Sequence, residues 1–457
     1  MLGKAGNHKI ALHEGLGKLT DIIESTLSLC PHCLQTLPAT VHVREGRVYL
    51  YRRCPQHGEF DVCLWPDAAS YRWFGDFVFP EQPRAAQTAS VAGCPRDCGL
   101  CSQHRRHTTI AEIEVTWRCN LRCPVCFMAS PAATPDDPAL DTIAGEFDVI
   151  RRYDGVNTPV QITGGEPTIR ADLPAIVALG RQAGFRGIEL NTNGLVIARN
   201  RNYLRALKEA GLSEIYLQFD GLTADVTRTL RGADLLSDKL QALENCRCEG
   251  VPVVLAMTVV AGINEGQLGE MVDFALRNSD IVCGLSLQPA FQSGRFTVPT
   301  QGHLSTGDMV NLVAEQTGGR IAARDFWPLG CCHPRCSCAT YLVGDADAYV
   351  PLTRTIDRKT YRAYFSQTSP QGAIFTDILA QMHGGVLPRG LPVLIMGLMD
   401  AWIMDLNKLQ QCSLTVVTPD GNSIPFCAYH LTDVAGRRLY PAGQGRMATV
   451  GHATIQL

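Results

Sequence analysis

Three observations predict an α/β fold, a partial (β/α)6 TIM barrel with an N-terminal zinc-ribbon or rubredoxin-like knob and a C-terminal auxiliary-cluster region. Six short apolar runs recur at Ile110–Thr116, Val160–Thr163, Gly187–Asn191, Glu214–Phe219, Val251–Val259 and Val282–Gln288, each of strand length. Helical periods fill the intervals, as in Leu173–Ala183 closed by Gly184 and Tyr203–Ala210 closed by Gly211, with glycine at the C-cap position. Strands alternating with helices imply a parallel sheet. Cysteines gather in short clusters before and after the alternating region.

The expected boundaries are 1–26, an N-terminal segment with a weak helical pattern and partly mobile; 27–80, a metal-binding ribbon; 81–108, an auxiliary-cluster linker; 109–300, the barrel; and 301–457, the C-terminal region. A chain of 457 residues accommodates two or three cores. A formal charge of -3 without a long Lys or Arg run argues against a nucleic-acid partner, which needs a basic face. The amino terminus carries His8, Lys9, His13, Glu14 and Lys18 in place of an apolar core, so no secretion signal is expected. The longest apolar run, Leu391 to Met404, falls short of the ~20 residues a bilayer span needs. A cytoplasmic protein is expected. Nineteen cysteines clustered in so long a chain mean metal ligands in a reducing setting, not disulfides.

In the ribbon, Cys30-Pro-His-Cys33 and Cys54-Pro-Gln-His57 bracket a hairpin pattern at residues 40–51. Two ligand knuckles joined by a hairpin suit one zinc or rubredoxin-type iron, held by Cys30, Cys33 and Cys54 and expected to be completed by His57, with Cys63 the alternative. Four protein ligands would fill the ion's coordination, which favours a structural role. In the linker, Cys94, Cys98 and Cys101 form a C-x3-C-x2-C set with no strand before it, expected to hold an auxiliary cluster or another metal.

The same spacing returns at Cys119, Cys123 and Cys126, now directly after the first barrel strand. Three thiolates so placed can hold three irons of a [4Fe-4S] cluster and leave the fourth open. Half of a zinc knob would favour paired C-x2-C instead. Gly164, Gly165, Glu166 and Pro167 follow the next strand, which sets a glycine-rich edge at the carboxyl end of a parallel sheet, where ligands bind. The same rule picks out residues 191–194, Gln218, Phe219, Asp220, Thr258, Asn264 and Gln288, although each also suits an ordinary turn or cap.

Beyond Arg295 the alternation stops. Cys331, Cys332, Cys336 and Cys338 share one loop, and Cys412 and Cys427 flank a hairpin pattern around Asp420-Gly421. These residues are expected to converge on a second auxiliary cluster, with Cys412 and Cys427 able to complete either one. Cys246, Cys248 and Cys283 read as free buried thiols. The run Leu391 to Met404 reads as a core helix, or alternatively as a tunnel lining or membrane-surface segment.

The Cys119–Cys126 set and the Gly164–Pro167 turn together resemble the radical SAM enzymes. That resemblance implies that S-adenosyl-L-methionine chelates the open iron through its amino and carboxylate groups, with the GGEP turn contacting the amino group. It also implies a cofactor or substrate wall that includes Asn191, Asn193, Gln218 and Gln288. The residue before the third cysteine is often aromatic in that superfamily, whereas here it is Val125, so adenine contact is expected from Val125 and Phe127 in another manner. The order ribbon knob, GCPRDCGLC, strand, CNLRCPVCF, ITGGEPT, LNTNGL, YLQFDG, RG at residues 231–232, LQPAFQSGR, loop cysteines and TPDGNSIPFCAY resembles tetraether lipid synthase and related radical SAM methylases, over residues 27–435. What this implies is a rubredoxin-type site, two auxiliary [4Fe-4S] clusters and reduced ferredoxin or flavodoxin as electron donor. It further implies hydrogen abstraction from an unactivated alkyl carbon for C–C bond formation between lipid chains, with possible peripheral membrane contact. The alternative is a methylase using a methylene-folate type donor on a pterin or lipid. A plain iron-sulfur electron carrier ranks third, having no use for an open iron. A lipid would need a long, dry, apolar tunnel, and a pterin a few polar groups between aromatic walls.

Overall fold

From residue 22 the chain pairs into an antiparallel ribbon, and along residues 47–54 alternate side chains turn inward. In the computed structural model, residues 21–81, 85–130, 136–367, 390–441 and 443 are described. The weak helical pattern expected at the N-terminus lies outside them through residue 20, but residues 22–26 already belong to a strand. That strand, β1 (Ile22–Leu29), pairs with β2 (Thr36–Arg44), then β3 (Arg47–Cys54) and β4 (Gly58–Trp65), in that order. The hairpin expected at residues 40–51 is β2–β3. Glu45 and Gly46 at its tip have φ of 51° and 75°, the left-handed pair that a tight hairpin turn requires. Helix α1 (Ala68–Gly75) follows, its first turn capped by the Asp67 carboxylate.

The barrel strands are β5 (Ile110–Thr116), β7 (Val160–Gly164), β8 (Ile188–Thr192), β9 (Glu214–Gln218), β10 (Val253–Val259) and β11 (Val282–Pro289). Short β6 (Val125–Cys126) lies in the loop after β5. All six barrel strands are parallel neighbours in the order β11-β10-β9-β8-β7-β5, the partial barrel that the alternation predicts. Outward-facing Ile113, Val115, Ile162, Leu190, Leu217, Leu255 and Leu285 pack with Phe147 of α2 (Leu140–Tyr153), Ile176 of α3 (Leu173–Gln182) and Leu207 farther along the chain.

The sheet runs on past both edges. After short β12 (Arg295–Phe296) and β13 (Trp327–Pro328), β14 (Ser337–Gly344) pairs with β13, β15 (Tyr349–Pro351) and β16 (Gly390–Met396). Strand β16 lies parallel to β11, while β17 (Leu414–Val417) lies parallel to β5 and forms the predicted hairpin with β18 (Ser423–Pro425). The described strands between residues 327 and 425 thus extend the barrel's sheet at both ends, to twelve strands. This corrects the helical reading of Leu391 to Met404. Its first half is a strand with alternating burial, and a continuous apolar run carries no period that separates helix from strand. Among the described residues, no helix is long and apolar enough to cross a membrane.

Inside the barrel the other strand face is polar. Glu112 pairs in register with Gln161 and Gln161 with Glu189, and Glu114 pairs with Thr163. Asn191 pairs with Tyr216. Barrels packed for stability fill this space with branched aliphatics. Here burial pushes the Glu112 and Glu114 carboxyls up, and Glu189 up to about 8. A second apolar cluster, including Leu29, Phe291, Met399, Phe426, Tyr429 and Tyr440, joins ribbon, barrel mouth and C-terminal region. Buried Arg52 clamps the ribbon there, donating to the carbonyls of Leu29 (2.8 Å), Ala401 (3.1 Å) and Trp402 (2.7 Å).

Candidate active site

Strand β5 ends at Thr116, and the glycine-rich turn after β7 fixes the path of the loop that follows. Gly165 N–H donates to Thr116 O (2.8 Å) and Glu166 N–H to Arg118 O (2.9 Å). A Cβ on Gly164 would lie 2.2 Å from Thr116 O, and one on Gly165 would lie 2.1 Å from Arg118 O. Only glycine lets the turn sit this close to the backbone leading into Cys119. Farther along the loop, β6 pairs with β12, and Arg295 donates to Cys123 O (3.1 Å) and Ser130 O (3.0 Å).

Glu166 is 1% exposed. Its Oε1 accepts from Thr168 N–H (3.1 Å), Thr168 Oγ1 (2.5 Å) and Thr192 Oγ1 (2.7 Å), and its Oε2 from Asn193 N–H (2.7 Å). Three bonds fill Oε1 and one reaches Oε2, which keeps an acceptor site, so Glu166 locks the ends of β7 and β8 together. Asn193 Nδ2 in turn donates to Asn120 Oδ1 (2.7 Å), within the cysteine loop.

Cys119, Cys123 and Cys126 lie close enough for their charges to act on one another, and burial pushes the Cys119 thiol up to about 12. Leu121 N–H donates to Cys119 Sγ (3.4 Å). Buried Arg231, at the end of α6 (Ala224–Arg231), pairs with Asp220 through Nε (2.7 Å) and Nη2 and donates to Val125 O (2.9 Å). Its charge faces Cys123 and Cys126. Lys239, also buried, donates to Asn193 O (2.5 Å) and Gln218 Oε1 (3.2 Å), and burial brings its ammonium down to about 8. Three thiols, an N–H on sulfur and two buried cations fit an anionic iron-sulfur cluster. Val125 is buried against Val226, Leu230 and Val260, and the Phe127 ring stacks on Phe291 at 5.8 Å.

The ribbon holds a tighter set. Cys30, Cys33 and Cys54 Sγ and a His57 ring nitrogen all lie within 4.8 Å of one another. His57 Nδ1 is 3.4 Å from both Cys30 and Cys54 Sγ, and Cys33 Sγ is 4.0 Å from Cys54 Sγ. A tetrahedron with zinc's usual bond lengths has edges of ~3.8 Å between sulfurs and ~3.6 Å between sulfur and nitrogen, so these residues fit a single zinc. Cys63 turns away, its Sγ 3.5 Å from Trp65 O.

Among the other cysteines, Cys94 and Cys98 lie close enough for their thiols to act on one another, and Tyr440, whose hydroxyl donates to Pro95 O (2.7 Å), lies beside them. Asp97 shapes that loop, accepting from the N–H groups of Val91 (2.6 Å), Ala92 (3.0 Å) and Gly93 (2.6 Å). Cys101 is buried nearby in sequence. A second group joins Cys331, Cys332, Cys336, Cys412 and Cys427, whose charges act on one another. Cys338 is not brought to it, since its side chain points into the apolar core from β14. Arg105, Arg106, Arg335 and Lys408 surround this group, and their charges act together on His333. Arg105 and Arg335 meet Glu81 (3.1 Å) and Glu24 (3.3 Å), whereas Arg106 and Lys408 form no ion pair among the described residues. Buried cations without carboxylates suit a cluster's negative charge. Cys246 is buried as expected, but Cys248 and Cys283 are exposed. Cys248 Sγ donates to Glu244 Oε1 (3.6 Å) on its own helix, and Cys283 Sγ to Glu214 Oε2 (3.6 Å) on β9.

Asn191 Nδ2 donates to Gln161 Oε1 (2.8 Å), and Gln288 Nε2 to the Tyr216 hydroxyl (2.7 Å). Both therefore belong to the barrel's polar wall. The sequence pattern includes Arg231-Gly232 without giving the arginine a role, and it passes over Lys239 and Glu114. For Arg231 a signal existed, a cation ahead of the helix-ending Gly232; Lys239 and Glu114 carry none before the sheet is assembled.

The radical SAM superfamily model matches residues 89–275, and the HMPTM N-terminal zinc ribbon domain model matches residues 22–66. The 7,8-dihydro-6-hydroxymethylpterin dimethyltransferase of Methanocaldococcus jannaschii is 33% identical, over 89% of this chain and 93% of its own length. A GTP 3',8-cyclase of Alkaliphilus oremlandii is 28% identical over 42% of this chain and 60% of its own. SuiB of Streptococcus suis, solved with S-adenosylmethionine, aligns at a TM-score of 0.41 and 17% identity, over 47% of this chain and 48% of its own. A cysteine loop seated on a glycine turn, a ribbon ahead of it and end-to-end similarity to the methanogen enzyme lead to one conclusion: the chain belongs to that dimethyltransferase's family within the radical SAM superfamily.

Proposed function

We propose that this radical SAM enzyme is a methyltransferase acting on a reduced pterin. The observation that carries the reading is the barrel interior beneath the cysteine loop. It is lined by Glu112, Glu114, Gln161, Asn191, Tyr216 and Gln288 and bordered by Phe127, Phe291 and Phe426. Polar groups between aromatic walls suit a flat, hydrogen-bonding ring, and a long alkyl chain would leave those polar groups unpaired. The family likeness favours the same reading over lipid coupling.

In this proposal Cys119, Cys123 and Cys126 hold the cluster that meets S-adenosyl-L-methionine. When bound, the pair supplies a 5′-deoxyadenosyl radical able to abstract hydrogen from carbon. With Glu166 held by Thr168, Thr192 and Asn193, an amino group arriving at Gly164–Pro167 meets the turn's carbonyl oxygens and the one acceptor site left on Oε2. Arg231 balances thiolate charge, and Asn193 and Lys239 tie the strand ends to the loop. Cys30, Cys33, Cys54 and His57 hold zinc. Cys94, Cys98 and Cys101 hold one auxiliary cluster, and the Cys331–Cys427 group a second. Reduced ferredoxin or flavodoxin would supply electrons.

The test is anaerobic production of 5′-deoxyadenosine by reconstituted protein, with and without 6-hydroxymethyl-7,8-dihydropterin. The pterin should raise the yield, Cys123→Ala should abolish it, and Cys98→Ala should leave cofactor cleavage in place. Loss of cleavage in Cys98→Ala but not in Cys123→Ala would reverse the assignment of the two cysteine sets.

A further inference from the structure

Five buried polar atoms without partners gather at the barrel mouth around Phe127: Glu114 Oε1, Asn191 Oδ1, Arg438 Nη1 and both ring nitrogens of His430. Native interiors leave few such atoms. Glu114, His430 and Arg438 are linked through Tyr429 and Phe127, and Asn191 stands on the barrel wall one strand beyond the neighbour of Glu114. Glu114 Oε2 accepts from the Tyr429 hydroxyl (2.8 Å) and Trp117 Nε1 (3.0 Å), which leaves only Oε1 open. The Tyr429 ring meets His430 at 4.9 Å, and His430 meets Phe127 at 4.7 Å. Arg438 Nη2 donates to the carbonyls of Phe127 and Met128, both at 3.0 Å, and its charge acts on Glu114 and His430. Asn191 joins from the barrel wall through Thr163, its Nδ2 3.4 Å from Thr163 Oγ1, the register partner of Glu114.

The set has a definite chemistry. Glu114 on β5 and Asn191 on β8 offer open oxygens from either side of β7, matched to the N–H donors of a ring that spans the two. Arg438 offers an open N–H, matched to a carbonyl, and the Phe127 and His430 rings offer aromatic surface. A 2-amino-4-oxo-pyrimidine ring presents an amino group, a ring N–H and a carbonyl along one edge. We infer that Glu114, Asn191, Arg438 and His430 form the recognition pocket for that ring of the substrate. This rests on the pterin reading above and adds to it the atoms that distinguish a pterin from other flat rings.

The test is calorimetric binding under anaerobic conditions to the full-length, iron-loaded protein with S-adenosyl-L-methionine present. The probes are 6-hydroxymethyl-7,8-dihydropterin and its analogue carrying oxygen in place of the 2-amino group. The parent protein should prefer the amino compound by roughly tenfold or more, the effect of leaving an acceptor facing an acceptor. Glu114→Gln should lose most of that preference, and Asn191→Ala should weaken pterin binding roughly tenfold. Iron content and far-ultraviolet spectrum matching the parent's certify each variant's fold, and Asn191→Ala carries the test if Glu114→Gln does not load iron. Parent-like affinity and preference in the variants would overturn the pocket while leaving the pterin function in place. Failure of the parent protein itself to bind the pterin would overturn the function beneath it.

Discussion

At the residue scale, Gly165 and Glu146 show how single atoms decide the outcome. A Cβ on Gly165 meets the Arg118 carbonyl at 2.1 Å, and that carbonyl is backbone with nowhere to yield. Gly165→Ala should therefore shift the Cys119 loop and lower 5′-deoxyadenosine formation by about 100-fold, the usual effect of a misplacement near 1 Å. Zinc content should be unchanged, and near-parental cleavage would count against the positioning role. Glu146 is 2% exposed, with both carboxylate oxygens unpartnered, and burial pushes its carboxyl well above the usual range. The folded state thus keeps a proton that the unfolded chain releases near pH ~4.3. Its contribution is intact below that pH and is lost as pH rises toward the folded value. Glu146→Leu should be the more stable protein at pH 7, by about 1–3 kcal/mol, with the gap narrowing toward pH 4.5. Denaturant titration at several pH values checks this, and a gap independent of pH would contradict it.

At the element scale, the ribbon is a load shared with the rest of the molecule. Cys30 and Cys54 bury with Leu37 at its core. Beyond the Arg52 clamp, Thr26 Oγ1 donates to Asp405 Oδ1 (2.7 Å) and Ser28 Oγ to Met404 O (2.6 Å). Cys54→Ser should abolish zinc binding and destabilise the protein on the order of 5 kcal/mol, part of the ~10–16 kcal/mol that such sites supply in isolated zinc peptides. Metal analysis with anaerobic denaturation checks both, and full zinc content in the variant would refute the ligand set. Much at this scale was legible in the sequence. The β2–β3 hairpin announced itself through Glu45-Gly46, and the barrel strands through their spacing. Strand β16 did not, because Leu391 to Met396 is apolar on both faces, and its neighbours β11 and β14 come from distant segments. His57 as the fourth ribbon ligand was legible, because it shares one short knuckle with Cys54, and the folded ribbon turns Cys63 toward Trp65.

At the scale of the whole molecule, residues far apart in sequence complete what the barrel begins. Cys331, Cys336 and Cys412 converge because β14 and β17 continue the sheet at opposite edges. Cys332→Ala/Cys412→Ala should lose about four irons per chain, one cluster's worth, while zinc and cofactor cleavage persist; an unchanged iron count would remove this group from the ligand set. The cysteine motifs and the Gly164–Pro167 turn disclosed the reaction class from sequence, because ligand spacing is local. The substrate was not disclosed, because Glu114, Asn191 and Arg438 meet only through the sheet and the C-terminal segment that roofs it. The central claim is that this polar mouth receives a pterin. It is tested most directly by offering the reconstituted enzyme 6-hydroxymethyl-7,8-dihydropterin and a long-chain lipid together, with reductant and S-adenosyl-L-methionine, and following both by mass. The account predicts that the pterin gains the mass of one or more methyl groups while the lipid stays unchanged; a modified or coupled lipid beside an untouched pterin would contradict it.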